Sequence, residues 1–309
     1  MDLSLATLRS VRTVAEAGSF SAAAARLGFT QSAISRQVAA AERELGFGLF
    51  ERLPRGVRLT GKGVTFLRQV AVALDALDEA ERMLAEAPAP RHRIRFGYFA
   101  AAGLALVPRT LQLIEREQPE LEVLTREATT PALIRGLRSG TLDFALLSAR
   151  PPFRAPDQEK PPLRQKTVLE LNLSLAVSRR GRLGGAGLVQ LADLAGEGWV
   201  AAPGGDDPQL GVWPGLPDRP RVRHTARDWA TKLQLVADGF GVTTAPAELF
   251  PQAPADVEFI GIAGVPEESR RLSLAQRPGL APGLAAAMTD AVTKVVAGLV
   301  AQSRAPAPS

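Results

Sequence analysis

Residues 19–45, Ser19-Phe-Ser-Ala-Ala-Ala-Ala-Arg-Leu-Gly28-Phe-Thr30-Gln-Ser-Ala-Ile-Ser-Arg36-Gln-Val-Ala-Ala-Ala-Glu-Arg43-Glu-Leu45, decide the fold of the N-terminal part of this chain. They read as two helices joined by a tight turn. Ser21 is placed to cap the first, Gly28 allows the chain to reverse, and Thr30 is placed to accept the free amides that open the second. On that second helix Ile34, Val38, Ala41 and Leu45 recur at helical spacing and form a packing stripe. Ser32, Ser35, Arg36, Ala39 and Arg43 lie opposite, with Gln31 in the first turn. Such a face suits a DNA major groove, where Arg and Gln read base edges and Ser and Thr hold phosphates. An ordinary amphipathic helix pair has the same pattern, so the stretch alone leaves both readings open.

Its surroundings narrow the choice. Residues 5–17 read as a preceding helix with Leu5, Leu8, Val11 and Ala15 on one face and Gly18 as its stop. Downstream, Leu49 and Phe50 can close a small core, and residues 52–59 read as a hairpin with a Pro/Arg/Gly tip. A hairpin beside a recognition helix is a wing, and Arg52, Arg55, Arg58 and the following Lys62 are its cations for backbone phosphates. The chain has 309 residues and a net charge of +5. Residues 1–62 hold nine Arg or Lys against five Asp or Glu, so most of the positive excess sits in a fifth of the length.

The resemblance then becomes specific. Residues 8–27, Thr-Gln-Ser-Ala-Ile-Ser-Arg-Gln at 30–37, Glu-Leu-Gly at 44–46, Leu-Phe-Glu-Arg at 49–52 and Val-Arg-Leu-Thr at 57–60 together resemble the N-terminal signature of the LysR-type transcriptional regulators. The match runs in register over about 60 residues. It implies a recognition helix carrying Ser32, Ser35 and Arg36 with Gln31 at its start, and a wing containing Arg55. Gly48 and Gly61 depart from the pattern: the first often carries a polar or basic side chain, and the second usually helps to start the next helix.

Residues 64–86 read as a long helix whose Val70, Leu74, Leu77 and Leu84 belong to a stripe suited to self-association, with mainly acidic charges. Residues 87–91, Ala-Pro-Ala-Pro-Arg, mark a domain boundary. Strands then alternate with helices of about ten residues, which predicts a mostly parallel sheet: strands at 93–99, 121–127, 142–148, 167–177, 198–202, 221–224, 241–244 and 270–275, helices at 104–117, 131–139, 188–195, 227–238 and 284–299. The order and length resemble the periplasmic-binding-protein-like effector domain of the same family. The expected architecture is therefore multidomain: an all-α-rich winged helix-turn-helix at 1–62, a dimerising linker helix and hinge at 63–91, and a two-lobed α/β effector domain at 92–303. Lobe I would be 92–163 with 268–303, lobe II 164–267, and 304–309 a tail.

Ligands of open α/β sheets sit at the carboxyl ends of strands, beside helix N-termini. Four places qualify: Ala100, Ala101 and Ala102; Thr129 and Thr130; Ser148; and Thr225 with Ala226. The resemblance points to a cleft between lobes lined by these loops. The three alanines stand where relatives often carry a hydroxyl, which leaves Thr129, Thr130 and backbone amides as anchors or implies a less polar effector. Thr130 before Pro131, and Thr225 with Asp228, also look like plain helix caps.

Chemistry finds little support. There is no cysteine, His92 and His224 are isolated, and no metal-binding, nucleophile-elbow or phosphate-loop motif occurs. The N-terminus lacks a basic segment followed by an apolar core, and no apolar run of about 18 residues is evident, which predicts a cytoplasmic protein without a membrane partner. The expectation is a non-enzymatic regulator with no cofactor beyond a small-molecule effector. It would bind an interrupted inverted repeat of double-stranded DNA as a homodimer or homotetramer, with RNA polymerase as a further candidate partner.

Overall fold

The computed structural model describes residues 3–54, 56–83, 92–150, 162–203, 211–216, 219–265 and 268–304. It opens with α1 (Leu5–Ala17), α2 (Phe20–Leu27) and α3 (Gln31–Leu45), followed by the hairpin β1 (Phe50–Leu53) and β2 (Gly56–Leu59) and the long α4 (Gly61–Met83). Each of the three short helices ends on a glycine in the left-handed region, Gly18, Gly28 and Gly46. At Gly28 the turn is closed twice over, because both Gly28 and Phe29 donate their amides to the Ala24 carbonyl. The N-caps are Ser4, Ser19 and Thr30, each accepting a backbone N–H three residues on. Ser19, not Ser21, therefore caps α2, and Ser21 is an exposed residue within the helix.

Val11, Val14, Ala23, Ile34, Val38, Ala41, Leu49, Leu59, Leu67, Val70 and Leu74 form one core. This corrects the reading of α4. Val70 and Leu74 face the small domain's own interior at 5% and 0% exposure, while Leu77 is exposed at 38%. The helix also starts at Gly61 and not at 64, because the Thr60 hydroxyl accepts the Gly63 amide and so replaces the lost start signal. Leu84, at the end of the expected stripe, lies outside the described residues, as does the boundary at 87–91.

Lobe I holds β3 (His92–Tyr98), α5 (Ala100–Ala105), α6 (Val107–Glu117), β4 (Leu121–Glu127), α7 (Thr130–Ser139), β5 (Phe144–Ala149) and β6 (Arg164–Asn172). Lobe II follows with β7 (Ser174–Ser178), β8 (Leu188–Gln190), β9 (Gly198–Ala201), β10 (Arg221–Thr225), α8 (Trp229–Ala237), β11 (Thr243–Ala245) and β12 (Val257–Ala263). The chain then returns to lobe I through β13 (Ser269–Gln276) and α9 (Pro282–Arg304). The lobe I sheet has the order β4-β3-β5-β13-β6. Only β4, β3 and β5 run parallel, whereas β13 is antiparallel to both β5 and β6, so the sheet is mixed where the sequence predicts a mostly parallel one. Lobe II pairs β11-β7-β12-β8 and β10-β9, again with both senses.

Three boundaries shift. Residues 164–172 belong to the lobe I sheet, so the crossing to lobe II falls at Leu173 and not at 164. Residues 188–195 are a short strand and a 3₁₀ turn (Leu191–Leu194), not a helix. The expected helix 104–117 is two helices, broken at Leu106. β12 has no counterpart in the sequence reading.

The lobe I sheet is covered on both faces. Ile94, Phe96, Phe144, Leu146 and Leu274 pack on the side of α5, α6 and α9, while Ala145, Leu147 and Ala275 face Leu133, Ile134 and Leu137 of α7. The alternation follows from the two-residue period of a strand. By length and composition α9 could cross a membrane, contrary to the sequence reading, but its Met288, Val292, Val295, Val296 and Leu299 are buried in lobe I. Away from the candidate clefts, the buried carboxylate of Asp143 accepts the Arg95 amide at 2.8 Å and the Arg277 Nε at 2.6 Å, tying β3, β5 and the end of β13 together.

One glycine fixes the wing. Gly56 has φ +106°, and a Cβ there would lie 2.3 Å from the Gly18 carbonyl oxygen, which also accepts the Val57 amide at 2.8 Å. Gly56→Ala should therefore lower the stability of the small domain by about 2 kcal/mol or more in denaturant unfolding, through strain and contact together. An unchanged midpoint would show that the wing is not seated on α1.

Candidate DNA interface and effector cleft

The candidate interface is built from α3 outward. With Ile34, Val38 and Ala41 buried, the helical period turns Gln31, Ser32, Arg36, Ala39 and Arg43 outward, all exposed, and leaves Ser35 half-buried. The Thr30 hydroxyl, which caps the helix, is 3.1 Å from that of Ser32. Arg43 Nε donates to the Ala39 carbonyl at 3.3 Å, so its guanidinium is drawn along the helix.

Glu42, which has no role in the sequence reading, holds α3 to the wing. Its Oε1 accepts the amides of Leu49 at 2.7 Å and Phe50 at 3.1 Å, and the Thr60 hydroxyl donates to the Gly48 carbonyl at 2.7 Å. An acid shortly before a strand carries no sequence signal of this kind, because a solvated glutamate on the same helix looks identical. On the wing Arg52 is exposed, and Arg58 pairs across the strands with Glu51 at 2.8 Å. Lys62 Nζ stands over the Phe47 ring, 5.5 Å from its centroid. Arg55, at the tip, lies outside the described residues.

In the effector domain the parallel register pairs Tyr98 with Glu127, and the Ala128 amide donates to the Tyr98 carbonyl at 3.0 Å. That brings the end of β3, with Ala100–Ala102, beside Thr129 and Thr130. The chain leaves β3 outward to β4 on one face and returns past β3 to β5 on the other, so the topological switch point lies between β3 and β5. Thr129 is exposed and is the N-cap of α7, but its side chain makes no capping bond. Ala101 and Ala102 are buried at 7% and 0%, turned into the core in the first turn of α5. Their lining of a cleft is thus limited to Ala100, which is half-buried, and to backbone. Ser148, half-buried, lies near the end of β5 opposite Leu272.

In lobe II, Thr225 is exposed at the end of β10, and the Ala226 amide donates to the Ala201 carbonyl at 3.0 Å. Asp228, not Thr225, caps α8: it accepts the Thr231 amide at 2.7 Å, and that bond holds its carboxyl below the usual range. The lobes meet where the 3₁₀ turn Ala247–Leu249 packs on α5 and α9, and just behind it Phe250 packs on Trp229 of the same lobe, with ring centroids 4.6 Å apart. A shallow depression of about 370 Å³ lies elsewhere, along Arg109, Gln112, Arg116 and Lys294 of α6 and α9. There Lys294 pairs with Glu117 at 2.7 Å and holds its carboxyl below the usual range.

Lys232 has no counterpart among the sequence expectations. It is fully buried on the core side of α8, 4.4 Å from the centroid of the Trp229 ring, and its Nζ has no hydrogen-bond partner among the described residues. Burial pushes its ammonium down to about 8, against the opposing pull of Asp228. The unfolded chain therefore binds the Lys232 proton more tightly than the folded one, which costs stability at neutral pH and costs nothing once both states are deprotonated. Lys232→Met should be more stable than the wild type by about 2 kcal/mol at pH 7, with the gap closing between pH 8 and 10.5. Denaturant unfolding at pH 7 and 10 checks this, and a pH-independent gap would contradict it.

No group of three or more His, Asp or Glu side chains suited to a metal occurs among the described residues. Similarity to known proteins follows the same two-part organisation. Residues 5–64 match the family described as bacterial regulatory helix-turn-helix protein, lysR family, and residues 87–297 match the LysR substrate binding domain. A probable hydrogen peroxide-inducible genes activator of Mycobacterium leprae (strain TN) is 33% identical over 282 residues, 88% of each chain. A full-length OxyR from Pseudomonas aeruginosa, solved as a cysteine-to-aspartate variant, has the same fold with a TM-score of 0.61, at 23% identity over 94% of this chain and 95% of that one. Full-length CbnR complexed with its target DNA gives a TM-score of 0.51 at 26% identity, covering 95% and 99%. The chain belongs to the LysR family of DNA-binding transcriptional regulators, built of a helix-turn-helix domain and an effector-binding domain, and is not an enzyme.

Proposed function

We propose that α3 enters the DNA major groove with Gln31, Ser32 and Arg36 toward the bases, while Arg52, Arg55, Arg58 and Lys62 contact phosphates. The observation that carries this is the outward face of α3, where a capped helix start, two hydroxyls, an amide and an unburied guanidinium stand beside a basic hairpin. The working form is a homodimer, pairing further into a homotetramer, on an interrupted inverted repeat in the cytoplasm. Two-fold sites match two-fold proteins, and among the described residues of α4, Leu77 and Val72, at 38% and 50% exposure, are large apolar side chains left outward for a second copy. RNA polymerase is a further candidate partner.

A small molecule bound between the lobes, at the strand ends carrying Ala100, Thr129, Thr130, Ser148 and Thr225, is the controlling ligand, and no other cofactor is required. The lobe junction runs beside these loops, and Thr129 presents a hydroxyl that no capping bond consumes. The M. leprae relative's name refers to hydrogen peroxide. This chain has no cysteine, so reversible thiol oxidation is not its signal.

Arg36→Ala should weaken retardation of the protein's own upstream DNA by about 1–3 kcal/mol while leaving binding to unrelated DNA nearly unchanged. Arg58→Ala should weaken both and flatten the salt dependence by about one unit of slope. Equal losses on specific and unrelated DNA for Arg36→Ala would overturn the assignment of α3 as the reading helix.

A further inference from the structure

Among the described residues, the DNA-binding domain meets lobe I along α7 and the end of β4. Arg135, on α7, donates its Nε to the Glu16 carbonyl in the last turn of α1 at 2.9 Å, and its guanidinium lies against Gly18. The end of a helix carries partial negative charge and unpaired carbonyls, so a guanidinium there is favoured on both counts. The Glu16 carboxylate, 15% exposed, meets Arg126 at the end of β4 at 3.4 Å and Arg26 of α2 at 3.6 Å. At the other end of the contact Gly140 closes α7 in the left-handed region at φ +73°, and a Cβ on it would lie 2.3 Å from the Ala71 Cβ of α4. Ala71 is 1% exposed, so α4 and α7 meet without a gap.

These contacts connect two surfaces that the fold keeps apart. α7 begins at Thr130, where the proposed effector loops lie, and its second half grips α1. The same turn of α1 offers its Gly18 carbonyl to Val57 at the base of the wing. A rigid helix thus has a ligand loop at one end and, at the other, the residue on which the wing is seated.

We propose that the face of α7 formed by Arg135 and Gly140, with Arg126 beside it, is a latch that clamps the DNA-binding domain to lobe I. Ligand binding at Thr129 and Thr130 releases or resets it by shifting α7. The ligand arm rests on the effector reading above; the clamp does not. Coupling requires that the ligand bind the latched and unlatched arrangements with different affinity.

The absence of cysteine makes a direct test simple. Single cysteines at Ala40 on α3 and Glu115 on α6, both exposed, are spin-labelled in the full chain and mixed with excess unlabelled protein, and the distance between them is measured by pulsed electron spin resonance without DNA. The latch predicts one narrow distribution, broadened by two unrelated lesions: Arg126→Ala with Arg135→Ala, which removes the ionic grip, and Ala71→Gln, which wedges α4 from α7. A broad distribution in the unmutated chain, or an unchanged one in both variants, overturns the latch whatever the effector turns out to be. On the protein's own upstream DNA the unlatched variants should shift apparent affinity by ~5-fold or more. Broadened distances with unchanged affinity would overturn the regulatory half of the proposal, and circular dichroism confirms that each variant is folded.

Discussion

The C-terminal turn of α1 is the constraint on which the DNA-binding half depends. Gly18 takes the left-handed conformation and returns its amide to Val14, which stops the helix and points the Gly18 carbonyl at Val57. That bond, with the lack of a side chain at Gly56, sets where the wing leaves the body of the domain. Glu42 then ties the strand before the wing to α3 by accepting two amides that would otherwise be unpaired at the start of β1. α3 and the hairpin are held at a fixed separation by these bonds, while Gln31, Ser32 and Arg36 point outward from the frame. Side chains on that outward face take no part in the frame, so they can change without loss of the fold.

The effector half is organised differently. The central strands of its sheet are packed with apolar side chains on both faces, and its polar interior is concentrated in a few groups. Asp143 is held by Arg95 and Arg277 and knits three strands. Lys232 has no such partner and leans on the face of Trp229, an arrangement that offsets only part of its desolvation. The two lobes share one apolar core through α5, Trp229, Leu249 and Phe250.

Much of this is legible in the residues. The glycine stops at 18 and 28, the cap at Thr30 and the stripe Ile34–Val38–Ala41 all follow from local chemistry and stand in the structure as read. What is not legible depends on long-range contact. Ser19 and Ser21 are both able caps, and only the register of α2 chooses between them. Val70 and Leu74 have the spacing of a dimer seam because the same spacing serves a helix packed on its own domain. β6 reads as the start of the second lobe, but its partner β13 is about a hundred residues away, and pairing at that separation leaves no local mark. The alanines at 100–102 read as a cleft lining, whereas two of the three turn inward, since an alanine at a helix start is equally suited to either side. Glu42, Lys232 and the α1–α7 contact carry no pattern at all.

The central claim is that α3 is read out in the major groove by two copies of this chain. Methylation protection of guanine N7, an atom that lies in that groove, tests it most directly on the protein's own upstream DNA. The account predicts two protected patches related by two-fold symmetry and separated by unprotected sequence. Protection confined to one patch, or uniform along the fragment, or absent while the DNA is fully bound, would contradict it.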